Sequence, residues 1–237
     1  MRSEFYIIVI LLLAVQSFRP LFAQSLGESA LNDWAGNPRQ EIVEIKLPPP
    51  TLEGSYYISD KWHSGTIEFK DNKLLTNYSL KYDLENNLLE IMSDVGLVVC
   101  GLPFLNSFQW YNYEGNDTTR FTNCENFIFE GENEIIGVVK IAARGKINLY
   151  SRNYIVIQEP TYNQALNVGN RNKKILIKTT YYLGKNKNLV AIQSKKKFLK
   201  YFGNEAKKIE KYRSTNKLKI KEEDDLKQII DYYNSNF

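Results

Sequence analysis

From Tyr56 onward the chain alternates apolar and polar residues, and that period of two constrains its fold more than any other feature. Ile67 and Phe69 fall on one side of an extended backbone while Thr66, Glu68 and Lys70 fall on the other. Asp71-Asn72 turns the chain, and Tyr78, Leu80 and Tyr82 then repeat the apolar face with Ser79, Lys81 and Asp83 opposite. Asn86-Asn87 turns it again into Leu89 and Ile91. Turns this short join antiparallel neighbours, because parallel strands need a long crossover. The region predicts an antiparallel meander.

Further strands are expected at Phe104 to Tyr113, Asn126 to Glu130, Ile135 to Ala143, Lys146 to Leu149 and Tyr154 to Ile157. Gly115-Asn116-Asp117, Gly131-Glu132-Asn133 and Gly145 supply the turns between them. A last hairpin pairs Ile175 to Leu183 with Leu189 to Ile192 around Gly184 to Asn188. About ten strands with no helical period between them give one mainly β body over residues 52–193, sandwich-like or open and barrel-like. The high aromatic content, 13% with 16 Tyr and 12 Phe, suits a pleated surface.

At Ser194 the period changes, and short C-terminal α-helices follow over residues 194–237. Phe198, Leu199 and Phe202 gather on one side of the first, Gly203 closes it, and Asn204 opens a second that runs through Tyr212. In the last, Leu226, Ile229, Ile230 and Tyr233 fall at i, i+3, i+4 and i+7, behind a first turn of Glu222, Glu223, Asp224 and Asp225.

The other end of the chain reads as an address. Phe5 to Val15 is an unbroken apolar run, too short to span a bilayer, and Ala23 suits the residue before a signal peptidase cut. Residues 1–24 are therefore expected to be a signal peptide, with residues 25–51, including Pro48-Pro49-Pro50, as a linker or surface arm. Export places the mature chain in the periplasm or at the outer membrane, without a transmembrane span after cleavage. In that oxidising setting Cys100 and Cys124 could form a disulfide, or could be two buried apolar side chains that never meet. A transmembrane barrel is disfavoured, because the non-core face of the strands carries Lys and Glu.

The net charge of +4 hides two unequal parts. Residues 171–237 hold 18 of the 31 basic and 7 of the 27 acidic side chains, a balance of +11, and the remaining 13 basic and 20 acidic give −7. Between Lys195 and Lys221 there are 11 basic residues and two acidic ones. Lys195, Lys196, Lys197, Lys200, Lys207 and Lys208 form the core of this band, a candidate electrostatic surface for an acidic envelope protein or for anionic lipid and lipopolysaccharide. Export and the preference for Lys over Arg both argue against nucleic acid.

Little in the chain points to catalysis. His63 stands without a second histidine for a metal or a serine in a nucleophile-elbow context, and its expected place is a turn beside Trp62. Glu130, Glu132 and Glu134 supply the carboxylates a glycosidase needs, but alternate around a Gly turn as exposed hairpin charges also do. Gly184-Lys185 lacks the glycines of a phosphate loop. No cofactor or metal site is expected. Phe108, Trp110, Tyr111 and Tyr113 put rings on both faces of one strand, so one set faces the core and the other is either covered by the helices or exposed as an aromatic platform for sugar or a partner.

One block of the chain, Gly54, Asp60, Trp62, Gly65-Thr66-Ile67, Lys70-Asp71, Leu80-Lys81-Tyr82-Asp83 and Leu89-Glu90, resembles exported β-rich proteins of Bacteroidota of unknown function. The likeness continues in Gly145 to Leu149, Tyr162-Asn163, Ala165 to Gly169, Tyr181 to Leu183, Lys195 to Leu199, Glu223 to Leu226 and Tyr232-Tyr233-Asn234. It departs between Asp94 and Cys124, so it says nothing of a disulfide. Asp117-Thr118-Thr119 resembles the short O-glycosylation acceptor of that phylum. The resemblance implies an envelope location and a shared architecture, and supplies no activity. The function expected is a non-catalytic exported envelope protein that binds or scaffolds a partner. The alternatives are a carboxylate-dependent hydrolase of envelope polymers and a carrier of an apolar ligand in a hollow β body.

Overall fold

The computed structural model describes residues 52–94, 96–112, 117–161, 166, 168, 169 and 172–237. The expected signal peptide, the arm and Tyr113 lie outside these residues. The strands are β1 (Leu52–Glu53), β2 (His63–Phe69), β3 (Leu74–Asp83), β4 (Leu88–Ser93), β5 (Gly96–Gly101) and β6 (Leu105–Asn112). They continue as β7 (Asp117–Asn123), β8 (Ile128–Phe129), β9 (Val138–Ala143), β10 (Asn148–Gln158), β11 (Lys173–Lys185) and β12 (Asn188–Ala191). Three helices follow: α1 (Lys195–Tyr201), α2 (Ala206–Thr215) and α3 (Glu223–Asn236). The fold is mainly β, as the alternation requires.

The strands form one sheet in the order β5-β4-β3-β2-β6-β7-β9-β10-β11-β12-β8. Every pairing on this path is antiparallel except β12 with β8, and β1 adds a short parallel pairing to β11. The end strands β5 and β8 do not pair with each other, so the sheet is open. It is nevertheless rolled. In a flat sheet β5 and β6, four strand spacings apart, would lie about 19 Å from each other. The chain between Gly101 and Leu105 can span only about 15 Å. Asn123 holds this corner: its buried side-chain amide donates to the carbonyls of Leu102 and Leu105, both at 2.9 Å.

The turns follow the expected chemistry. Asn72 and Asn87 adopt positive φ of 66° and 53° at the two predicted turns, and Asn186 does so at the last hairpin. Asp83, placed by alternation on the polar face, is buried, and its carboxylate accepts the backbone N–H groups of Glu85 and Asn86 at 2.7 and 3.1 Å. Asn77, at φ 64°, is the extra residue of a bulge between β2 and β3. At Gly65 the backbones of β2 and β6 leave no room for a side chain, since a Cβ there would sit 2.2 Å from the Gln109 carbonyl oxygen.

Three apolar clusters fill the layers. Inside the roll, Ile67, Leu80, Tyr82, Leu89, Ile91, Phe108 and Phe121 pack together, and the rings of Tyr82, Phe108, Trp110 and Phe121 fill the centre. A second cluster joins Phe129, Val139, Tyr150, Tyr182 and Leu189. In the third, Leu149 and Leu183 of the sheet meet Phe198, Phe202, Ile209, Leu226, Ile229 and Ile230 of the helices. Hence the helical segment shares a core with the sheet it covers.

Candidate functional site

The basic helices stand on this third cluster. Phe198 and Phe202 of the α1 segment are buried, which fixes the orientation of the helix and leaves Lys200 between them exposed. Lys195, Lys196, Lys197, Lys200, Lys207 and Lys208 are all exposed. Lys195, Lys196 and Lys197 fill the first turn of α1, with Ser194 as its cap and no acidic residue within that turn. There the helix dipole disfavours cations. α3, by contrast, carries Glu223, Asp224 and Asp225 in its first turn.

Both acidic residues of the band are engaged within it. Glu210 accepts two bonds from the Arg213 guanidinium, at 2.8 and 2.9 Å, and pairs with Lys195 at 2.5 Å. These cations hold the Glu210 carboxyl down at about 2. Glu205 pairs with Lys208 at 2.8 Å. Lys197 donates to Gln193. Lys196, Lys200 and Lys207 have no acidic partner within ion-pair distance among the described residues. Large exposed apolar side chains occur on the sheet and its loops, and none lies on the helices.

The other sequence candidates fall in separate places. Phe108 and Trp110 are core residues, 1% and 3% exposed, so they cannot belong to an aromatic platform: their strand positions point into the roll, where they pack on Phe121. Tyr111, on the opposite face, is 47% exposed and not covered by the helices, which sit over β9 and β10 instead. Cys100 and Cys124 lie in different apolar clusters, and both are free thiols in the structure, so the disulfide left open by the sequence is not formed. Burial pushes both thiols up to about 12.

His63 is not in a turn. It opens β2, is buried, and stacks on Trp110 with ring centroids 4.7 Å apart. Its Nδ1 faces the Tyr111 carbonyl at 3.3 Å and its Nε2 the Ser59 hydroxyl at 2.8 Å. A carbonyl only accepts, so Nδ1 is the nitrogen that donates to it. The contact between His63 and Ser59, four residues apart, has no sequence signal, because it depends on the bend at Asp60 and Lys61 that precedes the strand. Glu130, Glu132 and Glu134 are exposed, and Glu132 accepts the Tyr182 hydroxyl at 3.3 Å. A buried carboxyl the sequence did not mark is Glu90, which accepts the Tyr57 hydroxyl at 2.8 Å beneath Lys81, whose ammonium lies 3.8 Å from the Tyr57 ring centre. Burial raises the Glu90 pKa above the usual carboxylate range.

Among the described residues no group of three or more His, Cys, Asp or Glu side chains is arranged to hold a metal, and no helix is long and apolar enough to cross a membrane. No family model, curated protein or solved structure matches this chain.

Proposed function

We propose that this protein is a non-catalytic, exported module of the cell envelope, periplasmic or associated with the outer membrane, that docks on an anionic lipid or lipopolysaccharide surface through α1 and α2. The observation that carries the reading is the position of Lys195, Lys196 and Lys197 at the N-terminal end of α1, exposed and set against the helix dipole. Lys195 and Lys197 find local partners in Glu210 and Gln193, whereas Lys196, Lys200 and Lys207 have no acidic partner within ion-pair distance among the described residues, and this uncompensated exposed charge is what supports a functional surface. The helices lack an exposed large apolar anchor. Protein interfaces usually rely on such an anchor, whereas headgroup phosphates need only point charges.

Each Lys close to an anionic membrane contributes about 1 kcal/mol, and the attraction falls away within a Debye length. Wild-type protein should therefore sediment with vesicles containing phosphatidylglycerol at low salt, and separate from them at high salt or on phosphatidylcholine alone. Replacing Lys195, Lys196, Lys197, Lys200, Lys207 and Lys208 with Gln should abolish sedimentation while leaving the circular dichroism spectrum unchanged. Equal sedimentation by this variant would reject the reading.

A further inference from the structure

On the face of β2, β6 and β7 opposite the aromatic core, the registers align side chains into rows across the strands. Thr66 of β2 stands opposite Gln109 of β6, which stands opposite Arg120 of β7. In the next row Glu68 is opposite Ser107, with Leu74 of β3 on its other side. These six residues, together with Phe108 between Ser107 and Gln109, line a groove of about 300 Å³. One row in the other direction, about 7 Å from Gln109 by strand geometry, stands the ring of Tyr111.

The groove presents polar and apolar surface side by side, and its two charges, Glu68 and Arg120, balance. Arg120 donates from Nε and Nη2 to Gln109 Oε1 at 3.1 and 2.7 Å, which leaves its remaining N–H groups for a ligand. Ser107 donates to one oxygen of Glu68 at 2.6 Å, leaving the other as an acceptor. Thr66 adds a hydroxyl, and Leu74, 62% exposed, adds an apolar rim. Donors, acceptors and one exposed ring along one face of the strands match the alternating hydroxyl and C–H surfaces of a pyranose chain.

We infer that this face binds a neutral glycan of two to three sugar units, with a sugar ring stacked on Tyr111 and hydroxyl or acetamido groups held by Gln109, Arg120, Glu68 and Thr66. A polyanionic glycan would gain Arg120 but face Glu68, so the balanced pair of charges favours a neutral chain. A peptide could not add here as a strand, because both edges of β6 are already paired, by β2 and by β7. The site lies on different elements from the basic helices and does not depend on them.

The test is isothermal titration against chitotetraose, cellotetraose, maltotetraose, mannotetraose and tetragalacturonate, with Tyr111→Ala, Gln109→Ala and the six-lysine Gln variant. At least one neutral tetrasaccharide should bind in the millimolar range with little change between low and high salt. Tyr111→Ala should weaken it about tenfold, the size of one lost ring contact. Gln109→Ala should weaken it several-fold. The lysine variant should bind as wild type, so loss of vesicle binding and loss of glycan binding remain separable. Absence of binding by every neutral probe at about 20 mM, tighter binding of tetragalacturonate, or unchanged binding by Tyr111→Ala would each overturn the assignment.

Discussion

Asn234, near the end of α3, clamps the backbone of Ile147 at the start of β10: its Oδ1 accepts the Ile147 N–H at 3.0 Å and its Nδ2 donates to the Ile147 carbonyl at 2.9 Å. One side chain thus completes both hydrogen-bonding groups of a residue more than eighty positions earlier, and in doing so ties the last helix to the sheet. Gly145 leaves room for it, since a Cβ there would lie 2.3 Å from the Asn234 amide.

Asn234→Ala removes both bonds and leaves the Ile147 backbone groups half-buried without that partner, so it should lower unfolding free energy by about 2–3 kcal/mol. Gly145→Ala should cost a similar amount by displacing the amide. In the double variant the two costs should not add, because the alanine at 145 no longer meets a side chain at 234. Urea denaturation of the four proteins checks this, and full additivity would show that the two positions act separately.

The parts legible in the sequence are those with one face buried and the other in water. β2 shows this, with buried residues at alternate positions, and so does α3, whose Leu226, Ile229 and Ile230 are all buried. β5 carries no alternation, because Leu97 to Cys100 is apolar throughout, and β7 carries little, because its Thr-rich run has few apolar residues, Phe121 being the buried one. β10 is one continuous strand where the alternation predicts two. Its middle carries Ser151, Arg152 and Asn153, and Ser151 is buried only because its hydroxyl donates to Glu223 of α3 at 3.0 Å, a partner no local pattern reveals. The lysine band was visible as composition, whereas the ion pair between Lys195 and Glu210 joins two helices and depends on how they pack. For the aromatic strand, alternation separated Phe108 and Trp110 from Tyr111 but could not say which set faced inward.

Glu210 predicts a specific pH dependence. Its folded pKa, about 2, lies below its ordinary value of 4.5, so folding favours the ionised form. The contribution is complete above pH 4.5 or so and is lost as pH falls towards 2. Solvent screening at this partly exposed pair limits it to about 1 kcal/mol. Over that interval wild type should therefore lose about 1 kcal/mol more stability than Glu210→Gln, measured by chemical denaturation at a series of pH values. Parallel pH profiles would remove the pair from the stability account.

Cys100 and Cys124 should both be unreactive towards a thiol reagent at pH 8 in the folded protein, because the reagent needs thiolate and access, and burial denies both. In guanidinium without reductant, two thiols per chain should label. Mass spectrometry of the alkylated protein makes the count, and zero labels on the unreduced, denatured chain would mean a disulfide that the folded structure lacks.

The corner that rolls the sheet gives the sharpest substitution test. Asn123 is 1% exposed, and its Nδ2 donates to Leu102 and Leu105 while its Oδ1 accepts the Glu125 N–H at 3.1 Å. Asn123→Asp preserves shape and the acceptor but replaces the donor with an oxygen facing two carbonyls. Burying that carboxylate, or protonating it to recover a single donor, costs more than the bonds alone, so a loss of about 4 kcal/mol is expected near neutral pH. Asn123→Ala, which leaves two buried carbonyls unpaired but adds no charge, should lose about 2–3 kcal/mol. The order separates the two accounts of this residue: if the amide is needed as a donor, Asp is worse than Ala, and the gap narrows as acid protonates the carboxyl. If Asn123 only fills space, the isosteric Asp is the milder change, and urea melts of the two variants at neutral and acid pH would show it.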